Sequence, residues 1–213
     1  MLQEPSFWIF ASVCAFLYQH QQTRRLAYIL QGRMAGHHSL ANQMANILSA
    51  SEPTVQRAQL PLVASLVRYA YRHQSALTVT LLEELDECRR LVEAHHLYQS
   101  GQLGWRVNPT SGIDDLNVPP FSLIAVVENA LEHGMRHPSP QVSIDIERGK
   151  SHFSVSFSGY GLPLPDDLKG QRQGDGLRLL CARLAYLHEH SGNTSRDREY
   201  LNIGDALTLT FPI

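Results

Sequence analysis

Val127-Glu128-Asn129-Ala130-Leu131-Glu132-His133-Gly134 sets an asparagine, two acids and a histidine on one helix that stops at a glycine. Counting in threes and fours from Asn129 brings Glu132 and His133 to its side, while Leu123, Val126, Val127, Ala130 and Leu131 form the side to be buried. A carboxamide oxygen is a hard, neutral ligand of the kind Mg²⁺ takes, and a histidine beside it would reach phosphates that such a metal bridges. The same residues also describe an ordinary amphipathic helix whose polar side is solvated. The surrounding chain has to decide between these readings.

Working outward, the apolar period on the C-terminal side is two. Leu103, Trp105 and Val107 alternate, then Val142, Ile144 and Ile146, then Phe153, Val155 and Phe157. Gly149-Lys150 sits between the last two runs as a hairpin turn, and Gly204-Asp205 signals another between Tyr200–Ile203 and Leu207–Phe211. Helices at Phe121 to Met135 and Gly176 to His190 would cover one face of this sheet. The expected fold class is α+β, a two-layer sandwich with helices on one side of a mostly antiparallel sheet.

On the N-terminal side the period becomes helical. No proline interrupts Phe7 to Ser49, and Leu30, Met34, His37, Ala41, Met44 and Leu48 make a heptad-like seam. Pro53 and the residues before it break that helix. A second helix, Thr54 to His73, carries Leu62, Val63, Leu66, Val67 and Ala70 on one face, with Pro61 either kinking it or marking its true start. Two such helices bury their seams poorly alone, so pairing with a second copy into a four-helix bundle is expected. Thr80-Leu81-Leu82-Glu83 has capping-box spacing, and Leu81, Leu85, Cys88 and Val92 continue a third helix. The expected division is a helical dimerisation domain over 1–76 and an α/β domain over 77–213.

The 213 residues suffice for one core with a helical extension or for two small domains. A net charge of −2 with scattered Lys and Arg gives no pull toward nucleic acid or anionic lipid. Cys14, Cys88 and Cys181 lack the paired spacing of zinc or redox motifs and read as reduced thiols packed among apolar neighbours in a cytoplasmic protein. The apolar run Phe7 to Tyr18 is shorter than the about 20 residues needed to span a bilayer. It reads as a packing or dimerisation helix, with a membrane-anchor remnant or interfacial segment as the alternative.

Taken together, these motifs resemble the transmitter region of LytS-type sensor histidine kinases, whose ATP-binding domain is of the GHKL (HATPase, Bergerat-type) class. In that family a Pro-Pro pair leads into a helix ending Val-Glu-Asn-Ala-x-x-His-Gly, and Pro119-Pro120 precedes Glu128-Asn129 at that spacing. Val79-Thr80-Leu81-Leu82-Glu83-Glu84-Leu85 is similar to the family's Val-x-Leu-x-Glu-Glu-Leu segment. Gly174-Asp175-Gly176-Leu177 with Arg183-Leu184 is similar to its second glycine motif and following helix. The resemblance runs from about Ala35 to the C terminus. It implies a Mg-ATP site built from Glu128, Asn129, His133, Gly159, Gly161, Gly174 and Gly176, with Asn129 on the metal.

The family's phosphoryl-accepting histidine lies in Asn-Pro-His-Phe-Leu-Phe-Asn, which matches here at His38, Leu40 and Asn42 and departs at His37, Ser39 and Ala41. Helical spacing supports His38 separately: Gln31, Ala35, His38, Asn42, Ala45 and Ser49 form a small, polar row, whereas His37 falls on the apolar seam. His38 is expected to face solvent, open to a donor and a receiver, with Asn42 one turn on fixing its tautomer. Two adjacent histidines in a chain with eleven also read as merely solvated or packed. His95-His96 read as surface and core.

One turn departs from the family. GHKL pockets use the Asp of an Asp-x-Gly-x-Gly turn to accept a hydrogen bond from the adenine amino group, and here that turn is Phe157-Ser158-Gly159-Tyr160-Gly161. Phenylalanine accepts nothing, and losing a buried polar partner costs about 1–3 kcal/mol, or about a tenfold to hundredfold in affinity. The family's Asn after the second glycine motif is Leu179. The sequence therefore points to a histidine kinase-like transmitter in which His38 carries or relays a phosphoryl group to a response-regulator receiver aspartate, with impaired or absent ATP binding. A fully active autokinase is one alternative. A non-catalytic dimeric module that binds a cognate sensor kinase or a regulator is the other.

Overall fold

A computed structural model describes residues 5–49, 53–73, 75–96, 104–108, 112–134, 141–159, 175–190, 201–203 and 206–213. Two helices come first, α1 (Pro5–Ser49) and α2 (Pro53–His73). A short strand β1 (Val79–Thr80) leads into α3 (Leu81–His96), followed by β2 (Gly104–Asn108) and β3 (Asn117–Val118). The chain continues through α4 (Ser122–Gly134), β4 (Gln141–Arg148), β5 (His152–Gly159), α5 (Asp175–His190), β6 (Leu201–Ile203) and β7 (Leu207–Pro212).

Alternation makes the main sheet. Its order is β2-β4-β5-β7-β6, antiparallel except for the parallel β2–β4 pair. Val142, Ile144 and Ile146 of β4, Phe153, Val155 and Phe157 of β5, and Leu207, Leu209 and Phe211 of β7 all point to one buried face, as period two requires. The hairpin at Gly149 closes through its N–H to the His152 carbonyl at 2.8 Å. Leu123, Val126, Val127, Ala130 and Leu131 of α4 are buried beside that face, with Leu180 and Leu184 of α5 in the same core. His188 Nε2 of α5 lies 2.8 Å from the Thr210 carbonyl of β7.

The capping box at α3 forms as expected: Thr80 Oγ1 accepts from the Glu83 amide at 3.2 Å, and Glu83 Oε2 accepts from the Thr80 amide at 3.2 Å. Alternation gave no sign of the small antiparallel β1–β3 pair, where Val79 faces Val118. Two-residue strands are too short to carry a period.

The N-terminal helix spans 45 residues and so runs about 67 Å. Its lower part lies on the α/β layers through small residues. A Cβ added at Gly32 would stand 3.1 Å from Arg183 Nη2, and one at Gly36 would stand 2.8 Å from Phe121 Cζ and 3.5 Å from Ala70 Cβ. Around these glycines Tyr28 meets Tyr186 of α5, its ring centroid 4.6 Å away, and Arg24 pairs with Glu189. Gly36→Ala is expected to cost about 1 kcal/mol. Crowding a buried ring costs about 1–3 kcal/mol, and gaining a better helix former returns about 1. Thermal unfolding of the variant checks the sign.

Four side chains differ from expectation. Ala35 is buried and Gln31 half-buried, so that part of the small polar row lies under the neighbouring layer instead of in water. Val67 points outward, while Leu66 and Tyr69 take the inner face of α2. Cys14 is exposed where packing was expected; Cys88 is buried and Cys181 half-buried. Pro61 lies within α2 and does not start it. Each departure depends on which tertiary neighbour a helix meets, which no single helix encodes.

Candidate functional site

The helix of the Glu-Asn motif begins without a cap of its own. The residue before Ser122 is Phe121, which has no side-chain acceptor for the free amides of a first turn. The acceptor comes from another helix. Glu84 of α3, fully buried, takes the Leu123 and Ile124 amides on Oε1 at 3.1 and 3.4 Å and the Phe121 amide on Oε2 at 3.1 Å. Tyr69 of α2 donates its hydroxyl to the same Oε2. Phe121 is held at φ 66°, a left-handed conformation that a bulky residue adopts only when its surroundings impose it.

Arg183 of α5 completes the cluster. It is 2% exposed, donates Nη1 to the Pro120 carbonyl and lies over the Tyr28 ring of α1 at 4.9 Å from the centroid. Tyr28 in turn donates to the Leu77 carbonyl at 2.6 Å. Burial pushes the Glu84 carboxyl up to about 7, against the downward pull of Tyr69, the backbone amides and Arg183. Burial likewise raises Tyr69 and Tyr28 and lowers Arg183. A ring of buried polar groups from α1, α2, α3 and α5 thus fixes the start of α4.

On α4 itself, Glu128 and Asn129 are half-buried, and each is engaged by a neighbour. His133 belongs to the same helix, but its side chain lies outside the described residues, as do those of His38 and Asn42 on α1. Gly161 and Gly174 also lie outside them, together with the His95 and His96 side chains. Gly176 is the second residue of α5. Among the described residues no group of three or more His, Cys, Asp or Glu could hold a metal ion, and no helix is long and apolar enough to cross a membrane.

Gly159 has a structural reason of its own. Its φ is 135°, and a Cβ there would overlap the Gln141 carbonyl oxygen, where β4 and β5 meet at Val142–Gly159. Phe157, two residues earlier, is 0% exposed and pairs with Ile144 and Leu207 in the middle of the buried face. Leu179 is buried as well. Neither side chain carries a hydrogen-bonding group.

No protein-family model matches the chain. Among curated proteins, an uncharacterized sensor-like histidine kinase of Staphylococcus epidermidis is 28% identical over 140 residues, which is 64% of this chain and 27% of that one. The chain is thus similar to part of a sensor-like histidine kinase. It spans about a quarter of the length of that relative. Solved structures with similarity include the catalytic domain of histidine kinase ThkA, at 21% identity over 64% of this chain and 92% of that chain with a TM-score of 0.43. The Acinetobacter baumannii histidine kinase AdeS matches at 18% identity over 84% and 94%, with a TM-score of 0.44.

Sequence reading missed the roles of Glu84, Arg183, Tyr69 and Tyr28. A signal was available: Glu84 stands between Leu81 and Leu85 on the apolar side of α3, and an acid there needs buried donors. Which donors it would meet is not written in α3.

Proposed function

We propose that the chain is a LytS-like histidine kinase transmitter of a two-component phosphorelay, in which His38 exchanges a phosphoryl group with an aspartate of a response-regulator receiver domain. The observation that supports this best is the packing of α1, the helix bearing His38, on the cluster that starts α4, the helix bearing Asn129. In this reading residues 1–76 are the dimerisation and phosphoacceptor domain and residues 77–213 the HATPase-like domain. Leu26, Leu30 and Met34 of α1 and Leu60, Val67 and Tyr71 of α2 are exposed apolar rows, suited to cover by a second copy as a four-helix bundle in the cytoplasm.

The exchange needs no nucleotide. An imidazole nitrogen of His38 attacks the aspartyl phosphate, the P–N bond forms as the P–O bond to the carboxylate breaks, and Asn42 holds the other ring nitrogen. Because Phe157 and Leu179 close the base side, Mg-ATP binding is impaired or absent. Bound ATP would supply the phosphoryl group, and Asn129 would hold its metal.

Phosphorylated receiver is expected to leave acid-labile label on the wild-type chain and none on His38→Gln. No label from receiver or from Mg-ATP sinks the proposal. Label from ATP that Asn129→Asp abolishes would instead make the chain an autokinase. The closed base side equally favours a binding module that pairs with a cognate sensor kinase, and normal signalling by a His38→Ala strain would select it.

A further inference from the structure

A cleft of about 500 Å³ opens between α2 and α3. It uses a face of α2 that neither the core nor the exposed apolar row occupies. Leu66 and Tyr69 point inward and Leu60, Val67 and Tyr71 outward, while Ser65, Arg68 and Arg72 line the cleft between these two directions. Its size lies within the about 300–1,000 Å³ of small-molecule sites.

The charges in the cleft are unevenly matched. Three guanidinium groups, Arg68, Arg72 and Arg90, meet two carboxylates, Glu87 and Glu93. Glu87 is already engaged: buried in α3, it accepts from Arg90 Nη1 at 2.7 Å and from Ser65 Oγ at 3.3 Å. Arg90 also donates to Ser65 Oγ at 3.2 Å, so its guanidinium is held in one orientation at the cleft wall. Arg68 and Arg72 stand one turn apart on the same side of α2, and neither has an acidic partner among the described residues. Like charges at this spacing repel. A compact oxyanion between them removes the repulsion and matches the planar fork of each guanidinium.

We propose that the α2–α3 cleft is a binding site for a small ligand of the phosphate-monoester class, held by Arg68 and Arg72 with Arg90 and the Ser65 hydroxyl at its wall. With Arg90 paired to Glu87, Arg68 and Arg72 outweigh the remaining carboxylate, Glu93, by one charge; two guanidinium forks side by side match the several oxygens of a phosphate, whereas a single carboxylate would leave one fork unmatched. Tyr69 also lines the cleft, and its hydroxyl is one of the donors on Glu84, so the ligand rests against the cluster that starts α4. The site stands independently of whether His38 carries a phosphoryl group.

Titration of the full chain with inorganic phosphate at low ionic strength, followed by calorimetry, tests the assignment, with malonate as the carboxylate probe. Saturable phosphate binding is expected in the wild type, at least tenfold weaker in Arg68→Gln and in Arg72→Gln, and unchanged in Arg106→Gln on the exposed side of β2. Circular dichroism confirms that these surface variants stay folded. Absence of saturable binding, or equal binding by the Arg68 and Arg72 variants, overturns the site. Tighter binding of malonate than of phosphate overturns the ligand class.

Discussion

Glu84→Ala is expected to remove about 3–5 kcal/mol of folding free energy, the cost of deleting one member of a buried charged cluster and leaving its partners unpaired. The Phe121, Leu123 and Ile124 amides and the Tyr69 hydroxyl all end on that one carboxyl. Alanine gives them nothing, and water cannot reach a residue that is 0% exposed. The loss should show first where the bonds end, as faster hydrogen exchange through the first turn of α4 and with it a looser Asn129. An unfolding free energy within 1 kcal/mol of wild type, by the ~1 kcal/mol expected of an ordinary cap, would reduce Glu84 to a replaceable one.

The same carboxyl gives stability a pH dependence whose sign follows from its environment. Burial lifts it from 4.5 in the open chain to about 7 in the fold, so between those values the folded state holds a proton that the unfolded state has released. Stability is therefore full below pH 4.5 and falls as pH rises through 7, by an amount on the order of 3 kcal/mol. Glu84→Gln should flatten that slope in urea denaturation at pH 5 and pH 8, at the cost of an amide nitrogen facing backbone donors. A wild type that gains stability over this range would reverse the argument.

How far the fold could be read in advance follows from where its causes lie. The three alternating runs of β4, β5 and β7 and the apolar side of α4 are properties of single segments, and they appear in the fold with the faces expected. The Thr80–Glu83 capping box is equally local. Glu84, Arg183 and Tyr28 come from different helices and acquire their roles only when those helices meet; in sequence they are one acid on an apolar face, one arginine and one tyrosine. The row around His38 fails in part for the same reason, since Ala35 looks like open surface until Phe121 and α5 lie on α1. Phe157 was legible as a strand residue, because the alternation it belongs to is local.

Gly159→Ala is expected to cost about 3 kcal/mol or more, the sum of a left-handed backbone that alanine resists and an overlap that nothing nearby can relieve. The atom in the way is the Gln141 carbonyl oxygen, fixed on one side by β5 and on the other by β2, whose Gly104 is in register with Gln141. To admit a methyl group the end of β4 must leave one neighbour or the other. This matters for the proposed function, in which Gly159 is a nucleotide-site glycine, because a loss of binding in a glycine variant is readily credited to such a role. Here the sheet alone accounts for the glycine. The expected signature is a lowered unfolding midpoint with increased exchange at both Val142 and Phe157, whether or not nucleotide is added. A Gly159→Ala chain as stable as wild type, and altered only in its response to ATP, would return this glycine to the nucleotide site.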